Sequence, residues 1–185
     1  DTIDGASTLL YGKALVYHLK NDPAYAASVR DRLMELPANN PSGSGDPLSI
    51  ARHIPGFVAA ADLIEGYSGW TASDKRAFQN WLRSSNVYKI LDEISHVRAN
   101  NWGFMGSGAA AYVADYLTGS GLTLTNWKGS QETPGQAWRE SNAKGFARMN
   151  HGDGVMDTGG TCPGMHGIYP SGRIPHETGR GSTGC

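Results

Sequence analysis

The sequence predicts an all-α chain. Antiparallel helical hairpins packed in a ring or arc occupy residues 1–150, and a Gly-rich irregular segment follows over 151–185. Apolar residues recur at helical spacing through most of the first 150 positions. Cap residues followed by proline, and short turn clusters, cut that pattern into separate helices. No alternating strand pattern interrupts it, whereas Gly152 to Cys185 is dense in Gly, Pro and Thr with little periodicity.

Leu9, Leu10, Ala14 and Tyr17 form an apolar stripe, which His18 could extend, on a first helix from about Ala6 to Lys20. Asp22-Pro23 starts the second, a cap residue with proline at the first helical position. Tyr25, Val29, Leu33 and Leu36 give its face, and Pro37 is expected to stop it. Asn39 to Gly45 reads as a loop. Asp46-Pro47 repeats the start signal for a helix bearing Ile50, Ile54, Phe57, Val58, Ala61 and Ile64, with Pro55 expected to kink or split it. Gly66 to Gly69 ends that helix, and Thr71 with Asp74 resembles a capping box. Phe78, Trp81 and Leu82 line the next helix; a shorter one covers about Val87 to Val97. A small-residue helix spans Phe104 to Leu117, a long polar connection runs from Thr118 to Gln136, and a last helix covers Ala137 to Met149.

The 185 residues suit a single domain with a real core. Hydrophobic content of 39% with 18% charged residues is that of a globular chain. Sixteen basic and 17 acidic residues leave a net charge of −1 with no basic run, which argues against a nucleic-acid partner. No apolar stretch approaches the roughly 20 residues of a membrane helix. The abrupt start at Asp1-Thr2-Ile3-Asp4 reads as a mature or trimmed end. The two cysteines, Cys162 and Cys185, both lie in the Gly-rich segment. A disulfide between them would close a loop of about 23 residues, worth roughly 3 kcal/mol, and implies a secreted or periplasmic home. Free thiols, or a zinc set with His166 and His176, are the alternatives, although those spacings match no common finger.

Asn100-Asn101-Trp102-Gly103 stands at the entrance of the small-residue helix. Two carboxamides there can donate hydrogen bonds to an anionic oxygen without carrying a charge of their own. The helix N-terminus adds partial positive charge in the same direction, so a sugar carboxylate suits the place. A plain cap at Asn100 and a turn at Asn101 would leave the same residues. His176, Glu177 and Arg180 fall within five residues of one loop. Arg180 can clamp a carboxylate, Glu177 can orient its neighbours, and His176 can exchange protons near neutral pH. The alternative is a surface ion pair. Arg52 and His53 precede the Pro55 irregularity, which can open onto a cleft; a partly buried helix residue is the simpler account of His53. His18 and His96 read as helix-surface residues. Trp70, Trp102, Trp127, Trp138 and Tyr169 are candidate faces for sugar rings, and Trp81 reads as core. There is no Gly-x-Ser-x-Gly elbow, no phosphate loop and no His-Glu-x-x-His.

A helical chain with Asn-Asn-Trp-Gly opening a small-residue helix, then Glu-x-x-Arg in a Gly-rich loop, resembles the alginate-lyase-like polysaccharide lyases. The stretch Ala59-Ala60-Ala61-Asp62-Leu63-Ile64, Trp70, and the helix ending Trp81-Leu82-Arg83 extend the resemblance over roughly residues 45 to 180. It implies part of an (α/α) toroid and β-elimination on a uronic-acid polysaccharide such as alginate or glucuronan. In that chemistry the sugar carboxylate is neutralised, a base removes the adjacent proton, and an acid protonates the leaving oxygen. Asn101 and Arg180 match the carboxylate-neutralising positions, and Glu177 the acid before the arginine. Asn100, Trp102 and Arg52 would contact substrate, and no cofactor is needed.

Two departures stand out. Trp102 occupies the place where these lyases usually carry a histidine, so His53, His166, His176 or a tyrosine would be the base. Their catalytic tyrosine follows the arginine by about two helical turns, beyond Cys185. Either Tyr169 substitutes or the domain is incomplete here; the latter is favoured, making the rest of its own chain a partner beside the anionic polysaccharide. A glycoside hydrolase on a helical toroid would instead need facing carboxylates, for which Asp46, Asp153, Asp157 and Glu177 are available without a pairing. A non-catalytic carbohydrate-binding helical domain is the third reading.

Overall fold

The computed structural model describes residues 3–84, 86–98 and 101–150, with side chains described over 6–83, 86–98 and 102–145. The all-α class holds for these residues: seven helices and one two-stranded hairpin account for the regular structure described. The Gly-rich segment 151–185 lies outside them.

The helices are α1 (Ile3–Lys20), α2 (Pro23–Asn39), α3 (Pro47–Leu63), α4 (Ala72–Ser84), α5 (Asn86–Val97), α6 (Asn101–Tyr116) and α7 (Pro134–Asn150). Strands β1 (Leu124–Thr125) and β2 (Gln131–Glu132) pair antiparallel, Leu124 opposite Glu132. Local chemistry sets the starts. Asp22 accepts the Ala24 N–H at 3.0 Å and Asp46 the Ser49 N–H at 2.8 Å, each before a proline at the head of its helix. At α4 the capping box is reciprocal: Asp74 N–H donates to Thr71 Oγ1 and Thr71 N–H to Asp74 Oδ2. Asn21, at φ 55°, ends α1 by donating its N–H to the Tyr17 carbonyl, and its left-handed backbone turns the chain into α2.

Neither internal proline ends its helix. α2 runs two residues past Pro37 to Asn39, with Asn40 N–H still reaching the Leu36 carbonyl. α3 continues through Pro55 to Leu63. Proline removes one N–H, while the apolar face on either side of Pro55 (Ala51, Ile54, Phe57, Val58) stays buried and holds the helix together.

Packing places α1, α3, α6 and α7 as successive neighbours; α2, α4 and α5 form a second succession against them. α2 joins α1 and α3, and α5 joins α3, α6 and α7. Leu10, Ala14, Val29, Leu33, Phe57, Phe78, Leu82, Leu91, Val113 and Leu117 lie in one continuous core. Leu9 and Tyr25, expected in apolar faces, are exposed; Leu10 and Ala14 are buried as expected, and Ala26 points inward in place of Tyr25. Trp70 is buried rather than open to a sugar, edge-on to Phe78, which stacks on Trp81. Two glycines permit close helix contact. A Cβ on Gly56 would lie 3.1 Å from Ser7 Cβ, and one on Gly106 only 2.5 Å from Ile94 Cγ1. Among the described residues no helix is long and apolar enough to cross a membrane.

Candidate functional site

Asn101 is the first residue of α6, the helix set between α3 and α7 with α5 also against it. Trp102 follows in its first turn. The guanidinium of Arg98, just beyond the end of α5, lies 5.3 Å from the centre of the Trp102 ring. A cation, an aromatic face and the positive end of a helix thus meet where α5 hands over to α6. Arg98 was not singled out in the sequence, although its place four residues before Trp102 is visible there.

His53 lies on α3, buried, with Nδ1 2.8 Å from the Ser7 hydroxyl of α1. The contact follows from the close α1–α3 approach at Gly56. His53 also helps to wall a cavity of about 400 Å³ whose other walls include Leu36, Ile50, Ile54, Phe57 and Trp81. Arg32 at its rim is paired with Glu35. An apolar cavity with a spent cation is a poor seat for a carboxylate. Arg52, the next residue back, is exposed on α3. Asn100, Tyr169, His176, Glu177, Arg180, Cys162 and Cys185 lie outside the described residues, as does the side chain of Asn101.

A polar cluster between α5, α7 and the hairpin was not anticipated. Its centre is Asp92, 3% exposed. One carboxylate oxygen, Oδ2, accepts the Trp127 N–H at 3.0 Å; the other faces Lys144 Nζ at 3.5 Å and His96 Nδ1 at 3.3 Å. His96 Nδ1 also lies 2.7 Å from the Asp92 carbonyl oxygen. Lys144 Nζ is 3.2 Å from the same nitrogen. Burial pushes the Asp92 carboxyl up, but the bonds from His96 and Trp127 and the Lys144 charge outweigh it and hold it below the ordinary range. His96 is therefore half-buried in an ion-pair network rather than a plain surface residue. The Asp92–His96 spacing of four was legible; Lys144 and Trp127 come from distant sequence.

Beside it, the Tyr88 hydroxyl donates to Glu132 Oε1 at 2.5 Å. Burial raises the Glu132 carboxyl, with the Tyr88 bond pulling the other way, and burial with the nearby carboxylate raises the Tyr88 phenol. Among the described residues no group of three or more His, Cys, Asp or Glu side chains could hold a metal ion.

At the other end of α6, Tyr11, Tyr112, Asp62, Glu65 and Asp115 line a groove of about 590 Å³. The two ends of α6 thus differ in charge: Arg98 lies at its entrance, carboxylates near its exit. Scans against protein-family models, curated proteins and solved structures each return no match for this chain.

Proposed function

We propose that this chain is the helical domain of a polysaccharide lyase that cleaves a uronic-acid polymer, alginate or glucuronan among them, by β-elimination. The observation that carries the reading is Arg98 over Trp102 at the entrance of α6. A uronate there would meet a guanidinium, an apolar ring face and the first N–H groups of a helix together. The paired succession of helices, α1-α3-α6-α7 against α2-α4-α5, supports an arc of hairpins belonging to an (α/α) toroid.

In this reading Asn101 and Arg180 neutralise the sugar carboxylate, with Arg98 adding charge and Trp102 stacking on the ring. Neutralisation acidifies the adjacent C–H. A base takes that proton, its electron pair forms the new double bond, and the glycosidic C–O bond breaks as the leaving oxygen gains a proton. His176 is the preferred base, because His53 is buried against Ser7; His166 and Tyr169 are the other candidates within the sequence. Glu177 orients Arg180, and Asn100 and Arg52 contact neighbouring sugars. The chemistry needs no cofactor. A disulfide between Cys162 and Cys185 in a secreted or periplasmic protein completes the proposal.

The test is ultraviolet absorbance from unsaturated uronate during incubation with alginate and glucuronan. A rise in the natural chain, lost in Asn101→Ala and Arg180→Ala, supports elimination. New reducing ends without absorbance would mean a hydrolase, and neither signal would mean a binding domain.

A further inference from the structure

The 124–132 hairpin is built to hold its tip still. The Asn126 side chain accepts the N–H groups of Lys128 and Ser130, and the Asn126 N–H donates to the Ser130 carbonyl. Gly129, at φ 85°, completes the turn with its N–H on the Asn126 carbonyl. The hairpin is tied to α5 twice, at its base through Tyr88–Glu132 and at its tip through the Trp127 N–H on the buried Asp92 carboxylate. That much anchoring fixes the place of two side chains, Trp127 and Lys128. Lys128 Nζ lies 5.3 Å from the centre of the Trp127 ring, and the His96 ring lies 5.4 Å from it at 40°.

This is a second cation-on-indole pair like that of Arg98 and Trp102. Both belong to the same end of α5, because His96 and Arg98 are two residues apart. Lys144 is spent on Asp92, which leaves Lys128 as the cation at the tip. The Asp92 charge is taken up by the Trp127 N–H, His96 and Lys144, and Glu140, on the far side of Lys144 at 3.9 Å, is exposed. Lys128 itself is exposed with its ammonium above an indole. An exposed ammonium held over a half-buried indole on an anchored loop suits an acidic sugar, whose carboxylate meets the ammonium while its apolar side packs on the exposed part of the ring.

We infer that Trp127 and Lys128 at the hairpin tip, beside His96, form a second sugar subsite, and that it takes a uronate residue. The inference rests on the proposed polyuronate reading for its ligand, but its test separates the two. Native electrophoresis of the full natural chain through gels containing alginate or uncharged hydroxyethyl cellulose measures binding, and ultraviolet absorbance measures cleavage. The wild type is expected to be retarded by alginate and not by the uncharged polymer. Trp127→Ala and Lys128→Ala should each weaken alginate binding about threefold to tenfold, while Lys20→Ala, an exposed charge at the end of α1, should not. Unchanged helical circular dichroism would show that the variants fold.

Wild-type retardation in both hairpin variants would overturn the subsite and leave the lyase proposal standing. So would equal loss in Lys20→Ala, which would mean attraction by overall charge. Alginate retardation that depends on Trp127 and Lys128, without cleavage of any polyuronate, would sustain the subsite and remove the lyase. No retardation of the wild type would overturn the subsite even if cleavage occurred.

Discussion

At Asp92 and Glu132 two carboxyls of one cluster are driven in opposite directions, and this fixes how each responds to substitution and to pH. Asp92 is held below its ordinary range by His96, the Trp127 N–H and Lys144 against the pull of burial. Its contribution to stability is therefore present above its unfolded value, about 3.9, and is lost as pH falls through the lower folded value. Asp92→Ala would strand the Lys144 ammonium and the Trp127 N–H, and should cost about 3–5 kcal/mol by chemical denaturation at pH 7. Glu132 is raised by burial, so ionising it subtracts stability as pH rises above its unfolded value, about 4.3. Glu132→Gln keeps an oxygen to accept the Tyr88 proton and removes the charge. It should raise the midpoint of thermal unfolding at pH 7, with the gain shrinking towards pH 4. A lower midpoint at pH 7 would show that the ionised carboxylate is better satisfied than its burial allows. At the α6 entrance, Arg98→Ala removes the cation over Trp102. It should reduce kcat/KM on a polyuronate about tenfold or more, the scale of one charge-assisted contact, with the loss smaller on a substrate whose carboxylates are esterified.

Among the elements, α5 and α6 approach most closely where Gly106 faces Ile94 and the Leu91 carbonyl. Gly106→Ala would put a methyl 2.5 Å from Ile94 Cγ1 and 3.0 Å from the Leu91 oxygen, so the helices must part. A loss of about 1–3 kcal/mol is expected in chemical denaturation. Ile94→Val in the same chain should recover only part of it, since it removes Cδ1 and leaves a Cγ and the carbonyl in contact. The elements readable from sequence were those whose signal is local. Asp22-Pro23, Asp46-Pro47 and Thr71 with Asp74 each cap the helix that they announce, because cap and N–H lie within three residues. The start of α7 carries the same sign in Thr133-Pro134-Gly135-Gln136: Gln136 N–H donates to Thr133 Oγ1, and the Gln136 side chain accepts the Thr133 N–H. It was hidden by the polar run around it, so the helix was expected from Ala137. The hairpin left no legible trace, since strands of two residues are too short to alternate. Trp70 lies in a turn, its N–H on the Tyr67 carbonyl, where no periodicity could reveal that its side chain is core.

For the whole molecule, the all-α class was legible because α1 to α4 each have a periodic face or a cap in the sequence itself, and α6 a run of small residues. The charge difference along α6 was not, because it depends on which helices meet. Arg98 lies at its entrance, whereas Asp62 of α3 and Asp115 line the groove near its exit. On the proposed reading this polarity orients an anionic chain, with uronates drawn to the entrance and held off the exit. Binding to alginate should therefore weaken steeply with added salt, as attraction between exposed charges does. A salt-independent affinity would oppose that orientation. The most direct measurement is the ultraviolet absorbance of the full natural chain incubated with alginate and with glucuronan. The account predicts a steady rise from unsaturated uronate on one of them, abolished by Asn101→Ala and strongly reduced by Arg98→Ala. A flat trace on both, from a chain that is folded by circular dichroism, would contradict it.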